Sequence, residues 1–332
     1  MVRTFIVLAV FLQFTVKSFP QEIESDFRYE DRIRFKEAMA ISNEYGEMLW
    51  KGWNKPPFAI LFVTDSNEYL FNHPAPGKDF VLAGYDSVLK ADIYKRKRVY
   101  QKNFLAAFSA VNELSTIVVG TPENTGRSSI YWIIAVLHEH FHQLQSYQDD
   151  YLSSIDALAL SGDDSTGMWM LNYPFPYDDK EIAGSFNKLT FAAKNAAFAK
   201  DAIGFENNLK LYFTERAKFK SLLSEKDYRY FSLQIWQEGL AMYSEVKFLE
   251  LIKDKRIEPE EIQNLEDYIP YDEQYTKTIE NIRDVSTAIK LEESKRACFY
   301  YLGALEGLIL DRVNPGWRDL YFNEKFYIEN YY

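Results

Sequence analysis

The chain has 332 residues, 47% hydrophobic and 26% charged, a balance that supports a packed core and excludes a disordered chain. A formal charge of −11 argues against a nucleic-acid partner, because a phosphate backbone calls for clustered Lys and Arg. Cys298 is the only cysteine, which rules out an intramolecular disulfide.

In chain order, Met1-Val2-Arg3 is a short positive start and Thr4 to Val16 a nearly unbroken apolar run. Roughly 13 apolar residues are too few to span a bilayer but suit a signal-peptide core. Residues 1–18 are therefore expected to be a signal peptide, with a small-residue cleavage site at Val16-Lys17-Ser18 and a secreted or periplasmic mature chain. No Asn-x-Ser/Thr sequon occurs, so a bacterial periplasm or exterior is the simplest home. No later stretch is apolar enough for a membrane span, and no stable membrane insertion is expected.

From Asp31 to about Trp50 the apolar residues recur at helical spacing, and Pro56-Pro57 ends that helix. Phe58 to Val63 and Tyr69 to Phe71 follow as strands, with Arg98 to Lys102 and Ser115 to Gly120 as further strand candidates. The basic run Lys95 to Arg98 is expected on a solvated strand edge. Ser128 or Ser129 can cap the next helix, from Ile130 to about Tyr147. After a loop that includes Asp163-Asp164 and Asn172-Tyr173-Pro174, helices are expected near 182–200, 206–224, 227–254, 272–291 and 294–313. The fold class is α+β: a helix-and-sheet lobe over 19–127 packed on a helical lobe over 128–332, in one domain.

Three of the four histidines lie in His138-Glu139-His140-Phe141-His142. On a helix, positions i and i+4 share one face, so His138 and His142 can reach one tetrahedral zinc. Glu139 is rotated by about 100° and can approach the attacking water as a general base. His140 points about 200° away, so it is expected to be packed or hydrogen-bonded rather than a ligand. His73, in a loop, is expected to have no metal role.

A catalytic zinc takes a third protein ligand. Glu238, in Gln237-Glu238-Gly239-Leu240-Ala241, lies in an amphipathic helix among apolar neighbours, where a carboxylate needs a cation. Glu245, two turns on along the same face, is the fallback ligand. Other chemistries find less support. Asp163-Asp164 lacks calcium-loop spacing, no Gly-x-Ser-x-Gly elbow occurs, and Cys298 has no neighbouring His in sequence.

His-Glu-x-x-His followed by a helical Glu-Gly-Leu-Ala resembles the gluzincin zinc metallopeptidases, over the two motif helices. The chain differs from the aminopeptidase branch in the long separation of the motifs and in lacking a Gly-Ala-Met-Glu-Asn segment. Met242 also stands where many gluzincins place an Asp that orients a ligand histidine. The resemblance implies a zincin-like fold, Zn2+ on His138, His142 and Glu238, Glu139 as base, and a peptide or protein substrate. It also implies an oxyanion-stabilising Tyr or His, for which Tyr300 is the candidate ahead of Tyr301, since Gly303 and Ala304 permit close helix packing. Arg296 is left between a substrate carboxylate and a surface salt bridge. By analogy, Thr116 to Gly120 is the candidate edge strand for an extended peptide. Two rival readings stay open: a zinc hydrolase of a non-peptide amide or ester, and a catalytically silent binding protein on a peptidase scaffold.

Overall fold

The computed structural model describes residues 26–164 and 166–332. The expected signal peptide, residues 1–18, lies outside them. The fold is mixed α+β, with a six-stranded sheet and a mostly helical C-terminal half. Among the described residues no helix is long and apolar enough to cross a membrane.

Helix α1 (Tyr29–Leu49) precedes the strands β1 (Ile60–Val63), β2 (Asn67–Phe71), β3 (Val81–Asp86), β4 (Ala91–Lys97), β5 (Leu105–Val111) and β6 (Leu114–Gly120). The strand order is β3-β4-β2-β1-β6-β5. Only β1 and β6 pair in parallel, and the other four pairings are antiparallel. Period-2 alternation divides the central strands between two faces. Ile60, Phe62, Tyr69, Phe71, Ile117 and Val119 join the main helical core. Leu61, Val63, Leu70 and Val118 face a small second cluster with Phe80 and Val111.

Short α2 (Pro122–Thr125) leads into α3 (Ser129–Ser146), which carries the histidines. Trp132 of α3 meets Phe35 of α1 edge-on at 4.7 Å, and Phe35 in turn meets Phe62 of β1 at 5.2 Å. Three layers of aromatic packing thus seat α3 against both α1 and the sheet. The start of α3 is not capped by the Ser128 or Ser129 side chain. Instead the Asp267 carboxylate accepts from the Ser129 N–H at 2.6 Å and from its hydroxyl at 2.5 Å. A carboxylate suits that end better, because it satisfies orphan donors and complements the dipole.

Short α4 (Tyr151–Ala157) and α5 (Trp169–Asn172) interrupt the loop that follows. Then come α6 (Lys180–Ala197), α7 (Ala202–Leu222) and α8 (Glu225–Gln234). A π-helical turn over Ile235–Gly239 joins α8 directly to α9 (Leu240–Lys255). The short α10 (Glu260–Gln263), then α11 (Tyr271–Ala288), short α12 (Leu291–Ser294) and α13 (Ala297–Val313) complete the long elements.

Three strand expectations are corrected. Arg98 to Lys102 is not a strand, since β4 ends at Lys97 and Val99 and Tyr100 instead donate their N–H groups to Glu68. Lys95 to Lys97 lies on β4, between β2 and β3, and not on an edge. There Arg96 reaches Glu68 of β2 at 2.7 Å, so the basic run is partly neutralised inside the sheet. Thr116 to Gly120 is likewise no edge, because β6 is paired on both sides, by β1 and β5. The free edge on the side of α3 is β5.

Candidate metal centre

His138 and His142 stand one turn apart on α3, their ring centroids 4.9 Å apart. Glu238 reaches them from the π-helical turn of the facing helix. Its Oε2 lies 3.8 Å from His138 Nε2 and 3.3 Å from His142 Nε2. One ligand atom from each of the three residues falls within 4.8 Å of the others. Three donors so spaced can surround one ion, and their types, two imidazoles and a carboxylate, are those of a catalytic zinc site.

Local structure explains why Glu238 arrives there. Single π turns are rare and recur at functional sites, since the extra residue shifts side chains around the helix axis. Here the turn ends at Gly239, whose backbone presses on α13. A Cβ built on Gly239 would lie 2.5 Å from Gly303 Cα, and the reverse Cβ 2.5 Å from Gly239 Cα. The helices can cross this closely only because both positions are glycine. That crossing draws Tyr300, one turn before Gly303, to the side of Glu238. Burial raises the Tyr300 phenol well above its usual value and the Glu238 charge adds to it.

Each histidine is held by its other ring nitrogen. His138 Nδ1 meets Glu245 Oε1 at 2.6 Å, and His142 Nδ1 meets Gln145 Oε1 at 2.7 Å. With Nδ1 donating, both Nε2 atoms are left to accept a cation. Glu245 is thus corrected from fallback ligand to orienting group, because it binds the far nitrogen of His138. Gln145 is itself fixed: its amide donates to the Tyr321 hydroxyl at 2.6 Å and to the Gln237 carbonyl at 3.1 Å. Tyr321 stacks on Trp236 at 4.5 Å and donates to the Trp236 carbonyl at 2.7 Å. The aromatic C-terminal tail therefore braces the π turn and the histidine helix at once.

Burial by itself would lower His138, but Glu238 and Glu245 outweigh it and hold the imidazole up to about 10. Burial would raise Glu238, yet the two imidazoles hold it well below the carboxylate range. Glu139 behaves differently: burial pushes its carboxyl up. Its Oε2 is buried with no hydrogen-bond partner among the described residues, and the backbone of Ala107 on β5 hydrogen-bonds to the group. A buried carboxylate oxygen with nothing to accept is costly and calls for a water or ligand.

The other histidines are spent elsewhere. His140 stacks on Phe58 at 4.1 Å, bonds Gln143 through Nδ1 at 2.7 Å, and is pushed down to about 4 by burial. His73 uses both ring nitrogens on backbone groups of Val111 and Ala75. Tyr301 turns from the cluster toward Asn281, at 3.4 Å. Gln145 and Tyr321 were missed from the sequence. Gln145 could have been found, since it sits one turn after His142 on the same helix, whereas nothing local marks Tyr321. No family model, no curated protein and no solved structure matches this chain. Its chemistry is read from its own side chains.

Proposed function

We propose that this protein is a secreted zinc metallopeptidase of zincin-like architecture. One observation carries the reading: His138, His142 and Glu238 converge while the buried Glu139 oxygen beside them lacks a partner among the described residues. The donor set fits zinc, because both Nδ1 atoms are occupied and both Nε2 atoms point to the same carboxylate. Bound there, zinc supplies a Lewis acid that polarises a carbonyl and acidifies water.

The remaining work falls to the chain. Glu139, raised by burial, accepts a proton from a water molecule as the water oxygen bonds to the substrate carbonyl carbon. As the carbon–nitrogen bond breaks, the same carboxyl returns that proton to the leaving amine. The Tyr300 phenol, kept protonated by its burial, donates to the oxygen on which charge develops. Strand β5 has one unpaired edge among the described residues and touches Glu139 through Ala107, so it is suited to align an extended peptide. Export rests on the apolar N-terminal run of the sequence.

Metal analysis and a peptide library test this together. One zinc per chain is expected, and Glu139→Gln should keep the zinc while hydrolysis falls by about 10²–10⁴-fold. A metal-free native protein would overturn the reading, as would an undiminished Glu139→Gln variant. Hydrolysis of esters or simple amides without peptides would transfer it to the non-peptide alternative.

A further inference from the structure

A cavity of about 740 Å³ adjoins the His138–His142–Glu238 cluster through Tyr300. Tyr173, Pro174, Phe175 and Tyr177 line it, as do Arg296 and Tyr300 at the start of α13. Its charged lining comprises Arg296, Lys295 and one acid, Asp178, an excess of positive charge in a chain of net charge −11. Ala297, the first residue of α13, also lines it, which adds the positive end of a helix dipole.

Arg296 is only half engaged by the protein. Its Nη1 donates to the Tyr300 hydroxyl at 2.6 Å and lies 3.7 Å from Glu238 Oε1. Neither Nε nor Nη2 has an acceptor among the described residues, and the side chain stays 29% exposed. A surface salt bridge would turn the guanidinium outward to an acid, and here it turns inward toward the cluster. A planar fork with free parallel donors is the matching partner of a carboxylate. Lys295, the preceding residue, is held at φ 49 and ψ −129, a positive-φ backbone that is costly for a non-glycine residue.

We propose that this cavity is a carboxylate-recognising substrate subsite, with Arg296 clasping the carboxylate and the aromatic wall taking the adjoining apolar group. The proposal rests on the hydrolase reading and adds its substrate class: a peptide with a carboxylate close to the bond that is cut. That carboxylate is either the chain's C-terminus or an acidic side chain, and the two sources share one chemistry.

Binding of short peptides to zinc-loaded Glu139→Gln protein, measured by titration calorimetry, distinguishes them. The probes are Ala-Ala-Phe with a free C-terminus, the same peptide as its C-terminal amide, and Ala-Ala-Glu amide. We expect one of the two carboxylate probes to bind about 10- to 100-fold more tightly than the Phe amide. Preference for the first assigns the C-terminus, and preference for the third assigns an acidic side chain. Adding Arg296→Met should erase the preference, and Arg296→Lys should keep part of it with the native circular dichroism intact. No preference for a carboxylate overturns the proposal, and so does a preference that survives Arg296→Met, since zinc itself attracts carboxylates. Because binding is read without turnover, such a failure leaves the zinc content and the Glu139→Gln activity result standing, whereas failure of the hydrolase reading shows first as absent zinc or an undiminished Glu139→Gln rate.

Discussion

Two of the buried charge clusters in this protein solve the same problem in opposite ways. On α7, Arg216 donates to Glu306 of α13 at 2.9 Å and reaches Glu329 at 3.2 Å. The hydroxyls of Tyr212 and Tyr228 close that cluster. Its positive charge is a guanidinium, which neither gives up its proton nor coordinates metal. Around α3, Glu139, Glu238 and Glu245 face two imidazoles, with Arg296 only at the margin. An imidazole can hold a proton, release it, and accept a cation in its place. The first cluster is thus permanently neutralised and serves to lock helices. The second has an exchangeable positive charge, and exchange is what a metal centre needs.

Breaking the permanent cluster should have the largest effect. Arg216→Met leaves Glu306, which is wholly inaccessible, without its cation. A cost of about 3–5 kcal/mol is expected in urea unfolding, since removing one partner of a buried pair strands the other. Adding Glu306→Leu to that variant should recover much of the loss. If Arg216→Met unfolds at the native midpoint, the cluster is not the lock described here.

The exchangeable cluster should instead respond to its ligand. Free zinc at a hundredfold excess over its Kd should stabilise the wild type by about 2.7 kcal/mol, and a chelator should remove that gain. Glu238→Ala should lose most of this response, whereas variants at Arg216 should retain it. A zinc response equal in wild type and Glu238→Ala would erase the distinction between the clusters.

How much of this was legible in the sequence follows the range of the forces involved. The α3 histidines were legible because i and i+4 spacing is a local property, and Glu238 because an acid amid Trp236, Leu240 and Ala241 needs a reason. The α-helical half followed from periodicity, with element ends within a few residues of those expected. The sheet was harder. Strand β3 and β5 were overlooked, since Val81, Leu82 and Tyr85 are exposed and β5 is half exposed, so neither carries a clean buried pattern. Edge or centre is a question of partner order, and a single strand does not encode it. This is why β6 was mistaken for the edge that β5 provides. The close helix crossing behind Glu238 was equally hidden, because it depends on Gly239 meeting Gly303, far along the chain.

The smallest expected effect concerns Glu245, where geometry separates orienting from ligating. Its carboxylate holds His138 by Nδ1, on the side of the ring away from the cluster. Removing such a partner typically weakens metal binding by 10- to 100-fold, because the ring loses its fixed orientation and some basicity. Glu245→Ala should therefore fall in that range, and Glu245→Gln, which keeps an acceptor but no charge, should lose about tenfold or less. Both should still bind one zinc. Glu238→Ala removes a donor outright and should lose far more, since only two protein ligands remain. Competition with a zinc-responsive dye ranks all three variants. Were Glu245→Ala as damaging as Glu238→Ala, the carboxylate would have to reach the ion itself, and the division between holding a histidine and holding a metal would fail at this residue.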